Sequence, residues 1–298
     1  MDRYKKLVQR INNGEHILID GATGTEVERR GVPQLDNAWN GGGALTNPDI
    51  VRQIHEDYIR HGAEIIISNT FAITKQAMHD ANLEDQFEFL NRRGVELAVE
   101  ARERMQKPDV LVAGGISYWS WTSQHPSLDE LYESVSQQAD IMAAAGADLL
   151  MLEMMIEIDR MLVTLEAAQT AGLPVWVGVT CEPNAEGLIC LRNGDSLIDA
   201  LDSLQNRDVP LVSIMHTEVE FVDACLDIMQ NHWSGAIGVY AHSSRSHETD
   251  GTWIYNDTIS PEDYAAASDR WLKHGAQVIG GCCGIGPRYI KEIHQHWA

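Results

Sequence analysis

The amino-acid sequence predicts an α/β protein folded as a single (β/α)8 barrel of the TIM type over residues 1–298. Three observations favour this fold. Short apolar runs alternate with longer segments of helical period along the chain, which is the pattern of the βα units that build a parallel sheet. About eight such runs are present, which is the strand number of the barrel. The length of 298 residues also suits one barrel around one core.

The eight expected strands are short apolar runs. A repeated junction supports them, because helical segments end at Gly62, Gly146 and Gly275, and each glycine is followed by alanine, a polar residue and the next apolar run. Glycine adopts the left-handed conformation just past a helix end at little steric cost, so each junction marks a turn from helix to strand. The expected strands lie at 17–20, 64–69, 110–114, 148–153, 175–180, 211–215, 236–240 and 277–280.

Three helix starts carry capping residues. Asn47 and Ser260 each precede a proline, which suits the first position of a helix, and both side chains can cap the helix that follows. Ser127 and Glu130 have the spacing of a capping box.

A doubly wound open sheet is the structural alternative that the alternation of strands and helices leaves open. The chain lacks a G-x-G-x-x-G motif after its first expected strand. The glycine-containing segment 21–25 lacks the spacing and the lysine of a phosphate-binding loop. These two observations favour the closed barrel.

The chain is strongly acidic, with a formal net charge of -22 from 22 Lys and Arg against 44 Asp and Glu. This charge disfavours nucleic acids and anionic membranes as partners, because proteins bind both largely through Lys and Arg. Residues 1–20 contain no apolar run long enough for a signal peptide or a membrane span, so we expect a cytoplasmic protein. The sequence leaves the number of subunits open, a homo-oligomer included.

The chain contains five cysteines, and two of them, Cys282 and Cys283, are adjacent. In a reducing compartment an adjacent pair indicates metal binding or reactivity rather than a disulfide framework. Thiolates are good ligands for zinc. We interpret the other three, Cys181, Cys190 and Cys225, as structural or surface thiols.

Polar side chains follow the expected strands at their carboxyl ends. Loops at that end form the active site of a parallel barrel, although any α/β protein ends its strands in polar loops. His216 with Cys282 and Cys283 would supply the three ligands of a catalytic zinc that keeps a fourth position open. A lone histidine after a strand is otherwise more often a hydrogen-bonded loop residue. The polar strand-end residues are Asp20, Asn69, Thr70, Glu153, Thr180, His216, Tyr240, His242, Cys282 and Cys283.

These residues give the chain a resemblance to the homocysteine S-methyltransferase family, a group of zinc-dependent barrels that includes betaine-homocysteine methyltransferase. The resemblance runs nearly from end to end, and its C-terminal motif is highly specific. The matching motifs are Asp20-Gly21-Ala22-Thr23-Gly24-Thr25, His55-x-x-Tyr58, Ser68-Asn69-Thr70-Phe71, Glu153, and Gly280-Gly281-Cys282-Cys283-Gly284-Ile285-Gly286-Pro287.

The resemblance implies roles for single residues. The amino acid head of homocysteine would be bound by the aspartate-glycine turn and the strand-four glutamate, with Asp20 and Glu153 at the catalytic centre. Cys282 and Cys283 would supply two of three zinc thiolates. The substrate-binding residues that the resemblance implies are Asp20, Gly21, Thr25, Asn69, Thr70, Phe71 and Glu153.

The chain departs from the family pattern at three places. The family's third zinc ligand is a cysteine in an Asn-Cys pair, where this chain has Met215-His216. The usual Tyr-Pro-Asn after strand seven is Tyr240-Ala241-His242, which makes His242 an alternative ligand or a partner of the ligands. The loop at 117–121, which borders the donor pocket in the family, has a different sequence, so the donor cannot be carried over.

The expected chemistry is methyl transfer to a thiol. A free thiol has a pKa near ~8.5, so a Lewis acid that holds it as a thiolate supplies the nucleophile. Small onium donors such as S-methylmethionine, S-adenosylmethionine or a betaine release a neutral leaving group and need no strong general acid. Aromatic rings attract such cations. The candidate rings are Trp39, Phe71, Tyr118, Trp119 and Trp121, each of which could equally serve packing.

Two other functions stay open at this point. One is a divergent family member that binds an amino acid or thiol without transferring a methyl group, which the replacement by His216 motivates. The other is a barrel enzyme with demethylase or lyase chemistry on methylated sulfur or nitrogen compounds.

Overall fold

The computed structural model of the protein describes residues 3–249 and 252–297, and for 244–249 and 252–257 it describes the backbone. Eight parallel strands form one sheet, and four shorter strands form two antiparallel hairpins. The strands are β1 Ile17–Leu18, β2 Ile65–Ile67, β3 Leu111–Ile116, β4 Leu149–Met155, β5 Val175–Val179, β6 Cys181–Pro183, β7 Ile189–Leu191, β8 Leu211–Glu218, β9 Ala236–His242, β10 Ser244–Thr249, β11 Thr252–Asp257 and β12 Val278–Ile279.

The eight-stranded sheet is nearly closed into a ring, which confirms the predicted (β/α)8 barrel. Its order is β1-β12-β9-β8-β5-β4-β3-β2, so barrel strands that are consecutive in the chain are neighbours in the sheet. An isolated parallel bridge between Ile19 and Ile65 brings the end of β1 to β2. A doubly wound sheet would instead reverse its strand order about a central strand. All eight predicted strands are present.

Helices follow the strands and cover the outside of the sheet. The described residues contain no helix that is both long enough and apolar enough to cross a bilayer. The helices are α1 Arg3–Asn12, α2 Thr23–Arg29, α3 Gly43–Thr46, α4 Pro48–Arg60, α5 Lys75–Asp80, α6 Phe87–Arg104, α7 Leu128–Ala145, α8 Ile158–Gln169, α9 Leu197–Leu204, α10 Val219–His232, α11 Pro261–Lys273 and α12 Pro287–Trp297, with a 3-10 turn at Glu84–Gln86.

The buried side chains form two layers, because successive residues of a strand point to opposite faces. One layer fills the barrel and includes Ile65, Leu111 and Trp176. The other lies between strands and helices and includes Ile66 and Val112. Helix α1 packs Leu7 and Ile11 against the inner layer near the amino ends of the strands. The carboxyl ends of the strands, at the opposite end of the barrel, are not covered by α1.

Most of the predicted helix boundaries are confirmed. Gly62, Gly146 and Gly275 have φ of 101°, 104° and 92°, as the junctions predict. Ser127 and Glu130 form a complete capping box. The Ser260 hydroxyl accepts a hydrogen bond from the Asp263 amide at 3.0 Å.

The predicted Asn47 cap is wrong, since the Asn47 side chain makes no capping bond. The reason is that α3 ends immediately before α4. The Asn47 amide donates to the Gly43 carbonyl at 2.9 Å and so completes α3. The backbone of Asn47, with φ -139° and ψ 55°, is not in the extended conformation typical of an N-cap.

Candidate active site

A cavity of about 470 Å³ opens where the barrel strands end. It is lined by side chains that come from most of the strand-end loops, so distant parts of the chain meet there. Asp20 and Thr70, which were predicted to bind substrate, are not among the lining residues. The predicted site residues that line it are Gly21, Thr25, Asn69, Phe71, Glu153, His216, His242, Cys282 and Cys283.

His216, Cys282 and Cys283 converge at one side of this cavity. The His216 Nδ1 atom lies 3.4 Å from the Cys282 Sγ atom, and the two Sγ atoms are 4.0 Å apart. All three candidate ligand atoms lie within 4.8 Å of one another. Zinc bonds of about 2.3 Å to sulfur and about 2.0 Å to nitrogen place tetrahedral ligand atoms roughly 3.5 to 3.8 Å apart. The set therefore fits a zinc ion with small side-chain adjustments.

A β-bulge directs His216 toward the cysteines. The pairing of β8 with β9 shifts register between Met215 and Glu218, and His216 has a φ of 45°. A second bulge occurs in β4, where Met154 has a φ of 56°. Positive φ at non-glycine residues is uncommon and costs about 1–3 kcal/mol each. Both strained residues line the cavity, where bulges redirect side chains.

A sulfur–sulfur hydrogen bond links the two cysteines. The hydrogen bond that Cys282 donates to Cys283 lowers the pKa of the Cys283 thiol well below its usual value, against the effect of burial, and the nearby His216 adds to the lowering. The same bond raises the pKa of Cys282.

His242 lies beside the cysteine and histidine set without joining it. Its ring centroid is 4.6 Å from that of His216, and its Nε2 atom lies 3.2 Å from a carboxylate oxygen of Glu218. Among the described residues, the candidate metal-binding group consists of His216, Cys282 and Cys283. In this geometry His242 lies next to the candidate ligand His216.

Two buried carboxyl groups belong to this region: Glu153 lines the cavity, and Asp20 lies behind its wall. Glu153 is 8 % exposed, and burial, followed by the nearby Cys283, raises its pKa to about 8. Asp20 is fully buried, and burial raises its pKa well above the usual value. Its Oδ2 atom accepts a hydrogen bond from the Ile67 amide at 2.8 Å, whereas its Oδ1 atom has no partner. An unpaired buried carboxyl oxygen is costly, and a cationic ligand group near Asp20 would offset that cost.

The other predicted binding residues shape the walls. Any side chain at Gly21 would place its Cβ 2.1 Å from the Ile285 carbonyl oxygen, so this close approach requires glycine. The Thr25 hydroxyl accepts from the Gly284 amide at 3.4 Å, which ties the first loop to the C-terminal motif. The Thr70 hydroxyl donates to the Gly115 carbonyl at 2.8 Å and joins β2 to β3 from behind the cavity.

Four of the five predicted aromatic residues line the cavity, namely Trp39, Phe71, Trp119 and Trp121. The exception is Tyr118, which is 3 % exposed. Its hydroxyl accepts hydrogen bonds from the Ile156 and Glu157 amides at 2.7 and 3.1 Å. Tyr118 therefore anchors the loop instead of facing a ligand.

Three charged residues that no sequence motif indicated, Glu182, Arg192 and Glu218, also line the cavity. Glu182 lies in the hairpin of β6 and β7, and Arg192 follows it directly. The loop at 184–188 between these two strands contains Asn and Gly, which are turn signals that could have identified the hairpin. Glu218 gave no such signal, because its position depends on the bulge in β8.

Comparison with protein families identifies relatives of nearly the whole chain. The family described as homocysteine S-methyltransferase matches residues 17–297. The enzyme homocysteine S-methyltransferase 2 of Arabidopsis thaliana is 26% identical over 95% of this chain and 93% of its own length. The selenocysteine Se-methyltransferase of Brassica oleracea var. italica is 25% identical over 95% of this chain and 89% of its own length.

A solved structure also resembles the whole fold. The metallated form of the homocysteine methyltransferase MmuM from Escherichia coli superposes with a TM-score of 0.78 at 25% identity. The match covers 94% of this chain and 96% of that one.

Proposed function

We propose that this protein transfers a methyl group from a small onium donor to homocysteine or a related thiol. The chain belongs to the homocysteine S-methyltransferase family and is an S-methyltransferase with a thiol acceptor. We further propose that zinc, held by His216, Cys282 and Cys283, is its cofactor. The convergence of these three side chains at the cavity carries the proposal. Such a metal would keep the acceptor sulfur as a thiolate at neutral pH.

Glu153 and Asp20 are proposed to recognise the amino group of homocysteine. Glu153 lies on the cavity wall, and Gly115 leaves room for its carboxyl group, since a Cβ there would lie 2.5 Å from an oxygen of Glu153. Asp20 lies behind the wall with one unpartnered oxygen. A bound ammonium group would compensate the burial of both acids. This would fix the acceptor by its head and leave its sulfur free for the reaction.

The aromatic wall suits a cationic methyl donor. Rings of Trp39, Phe71 and Trp121 line the cavity, and Phe71 and Trp121 meet edge to face with centroids 6.2 Å apart. Aromatic faces attract onium groups more strongly when water is excluded. Because an onium donor leaves as a neutral molecule, no acid is needed to protonate the leaving group.

A second candidate function rests on His216. An imidazole in place of the family's third thiolate raises the charge of the site by one and leaves a bound sulfur less nucleophilic. The chain would then bind a thiol amino acid without methylating it. Saturable homocysteine binding with no product would favour this second function.

The direct test is a donor screen with the zinc-loaded protein. Homocysteine is incubated with S-methylmethionine, S-adenosylmethionine or glycine betaine, and methionine is measured by mass spectrometry. We expect methionine from at least one donor and none without protein. If none of the donors yields methionine while homocysteine binds, the transfer function is contradicted.

A further inference from the structure

Arg192 is the one Lys or Arg among the described residues that line the cavity. The same wall carries the carboxylates Glu182 and Glu218, and the chain has a net charge of -22. An anionic ligand group would be repelled from most of this surface. Arg192 is therefore the place at which a carboxylate could be held.

The backbone places Arg192 firmly at the cavity mouth. Its amide donates to the Thr180 carbonyl at 3.1 Å, and the next amide, of Asn193, donates to the Ile156 carbonyl at 3.2 Å. The residue is thus fixed to the loops that follow β5 and β4. Its side chain is 41% exposed, so the guanidinium group can be reached from solvent.

The Arg192 guanidinium lies over an aromatic ring. Its central carbon lies 5.5 Å from the ring centroid of Trp119, and its Nε atom is 4.0 Å from a carboxylate oxygen of Glu182. The Glu182 contact is long and exposed, and such ion pairs are weak. This cation–π contact holds the guanidinium group near Trp119, and a guanidinium can donate two parallel hydrogen bonds to a carboxylate.

We propose that Arg192, held over the ring of Trp119, is the residue that binds the carboxylate of the methyl donor. The inference rests on the proposed function, since it names the residue that holds the donor's carboxylate in that cavity. A cation already occupies the region of Trp119, which leaves Trp39, Phe71 and Trp121 for the onium group. The donor is thereby held by its carboxylate at Arg192 and by its onium group at the aromatic rings. Glu153 then binds the amino group of the acceptor.

Binding is tested by calorimetry, independently of turnover. The zinc-loaded protein is titrated with S-methylmethionine and glycine betaine, and with the carboxamide of each, which keeps the onium group and removes the negative charge. We expect wild type to bind at least one acid about tenfold to a hundredfold more tightly than its amide, as for a charge-assisted pair. Arg192→Met should abolish this preference, and Arg192→Lys should retain part of it.

Arg288→Met is the matched control, because the guanidinium carbon of Arg288 also lies over an aromatic ring, 5.0 Å from the centroid of Tyr289, but Arg288 does not line the cavity. It should keep the preference for the acid. Equal binding of acid and amide by wild type, or no binding of either acid, would overturn the inference. So would an Arg192→Met variant that loses both ligands equally, or that loses homocysteine binding instead. Acid-selective binding without methionine formation would contradict the proposed function and leave the inference standing.

Discussion

His55 on α4 is a fully buried histidine whose two ring nitrogens have no hydrogen-bond partner. Burial alone lowers its pKa to about 4. In the unfolded chain the imidazole has its ordinary pKa near ~6.5, so the unfolded state binds more protons between these two values. The buried neutral His55 therefore causes no loss in the free energy of unfolding well above pH 6.5, and it lowers that free energy as the pH drops from 6.5 toward 4.

Replacing His55 should reduce the acid sensitivity of the fold. The histidine contributes a loss of about 2 kcal/mol in the free energy of unfolding between pH 8 and pH 5. We expect His55→Leu to lose less stability than wild type over this range, measured by urea denaturation at each pH. The exposed His125, replaced by Leu, serves as the control. Parallel pH profiles of wild type and His55→Leu would contradict the assignment of acid sensitivity to this residue.

The alternation of side chains along the strands limits residue-level prediction of the site. The sequence placed Asp20, Thr70 and Tyr240 at strand ends, but these side chains do not line the cavity. Tyr240 belongs to the packed interior of the barrel. Adjacent residues at a strand end point to opposite faces, and the apolar run does not determine which face the next polar residue takes.

At the scale of elements, the strongest sequence signals come from bonds between neighbouring residues. Ser127 and Glu130 cap α7 through their own side chains, as their spacing predicts. Asn47 fails as a cap because the preceding α3 determines its backbone, which its own sequence neighbours do not reveal. The bulges of β4 and β8 likewise depend on strand pairing, so no local pattern predicted them.

Alanine substitutions at Ser127 and Asn47 test whether the first side chain caps its helix and the second does not. Ser127→Ala removes the hydroxyl that accepts from the Glu130 amide and should cost about 1 kcal/mol of stability. Asn47→Ala should cost much less, since no capping bond is lost. The urea midpoints of the two variants are compared with that of wild type. An equal or larger loss in Asn47→Ala would refute this account of the two helix starts.

At the scale of the whole molecule, the barrel topology brings residues 20, 153, 216 and 282 together although they are far apart in sequence. Counting eight apolar runs predicted this meeting, because all parallel strands end on one face. The hairpin of β6 and β7 was not predicted, and with it the cavity side chains Glu182 and Arg192 were missed. Such insertions follow the strand closely and are too short for a periodic pattern.

The zinc content of the purified protein tests the central claim most directly. By atomic emission after zinc reconstitution, we expect about one equivalent in wild type, less than roughly a tenth in Cys282→Ala and Cys283→Ala, and retention in His216→Cys, where a thiolate replaces imidazole. The buried Cys225, replaced by Ala, is the control and should retain zinc, as it lies outside the cavity. Less than roughly a tenth of an equivalent in wild type, or unchanged zinc in both alanine variants of the pair, would contradict the account.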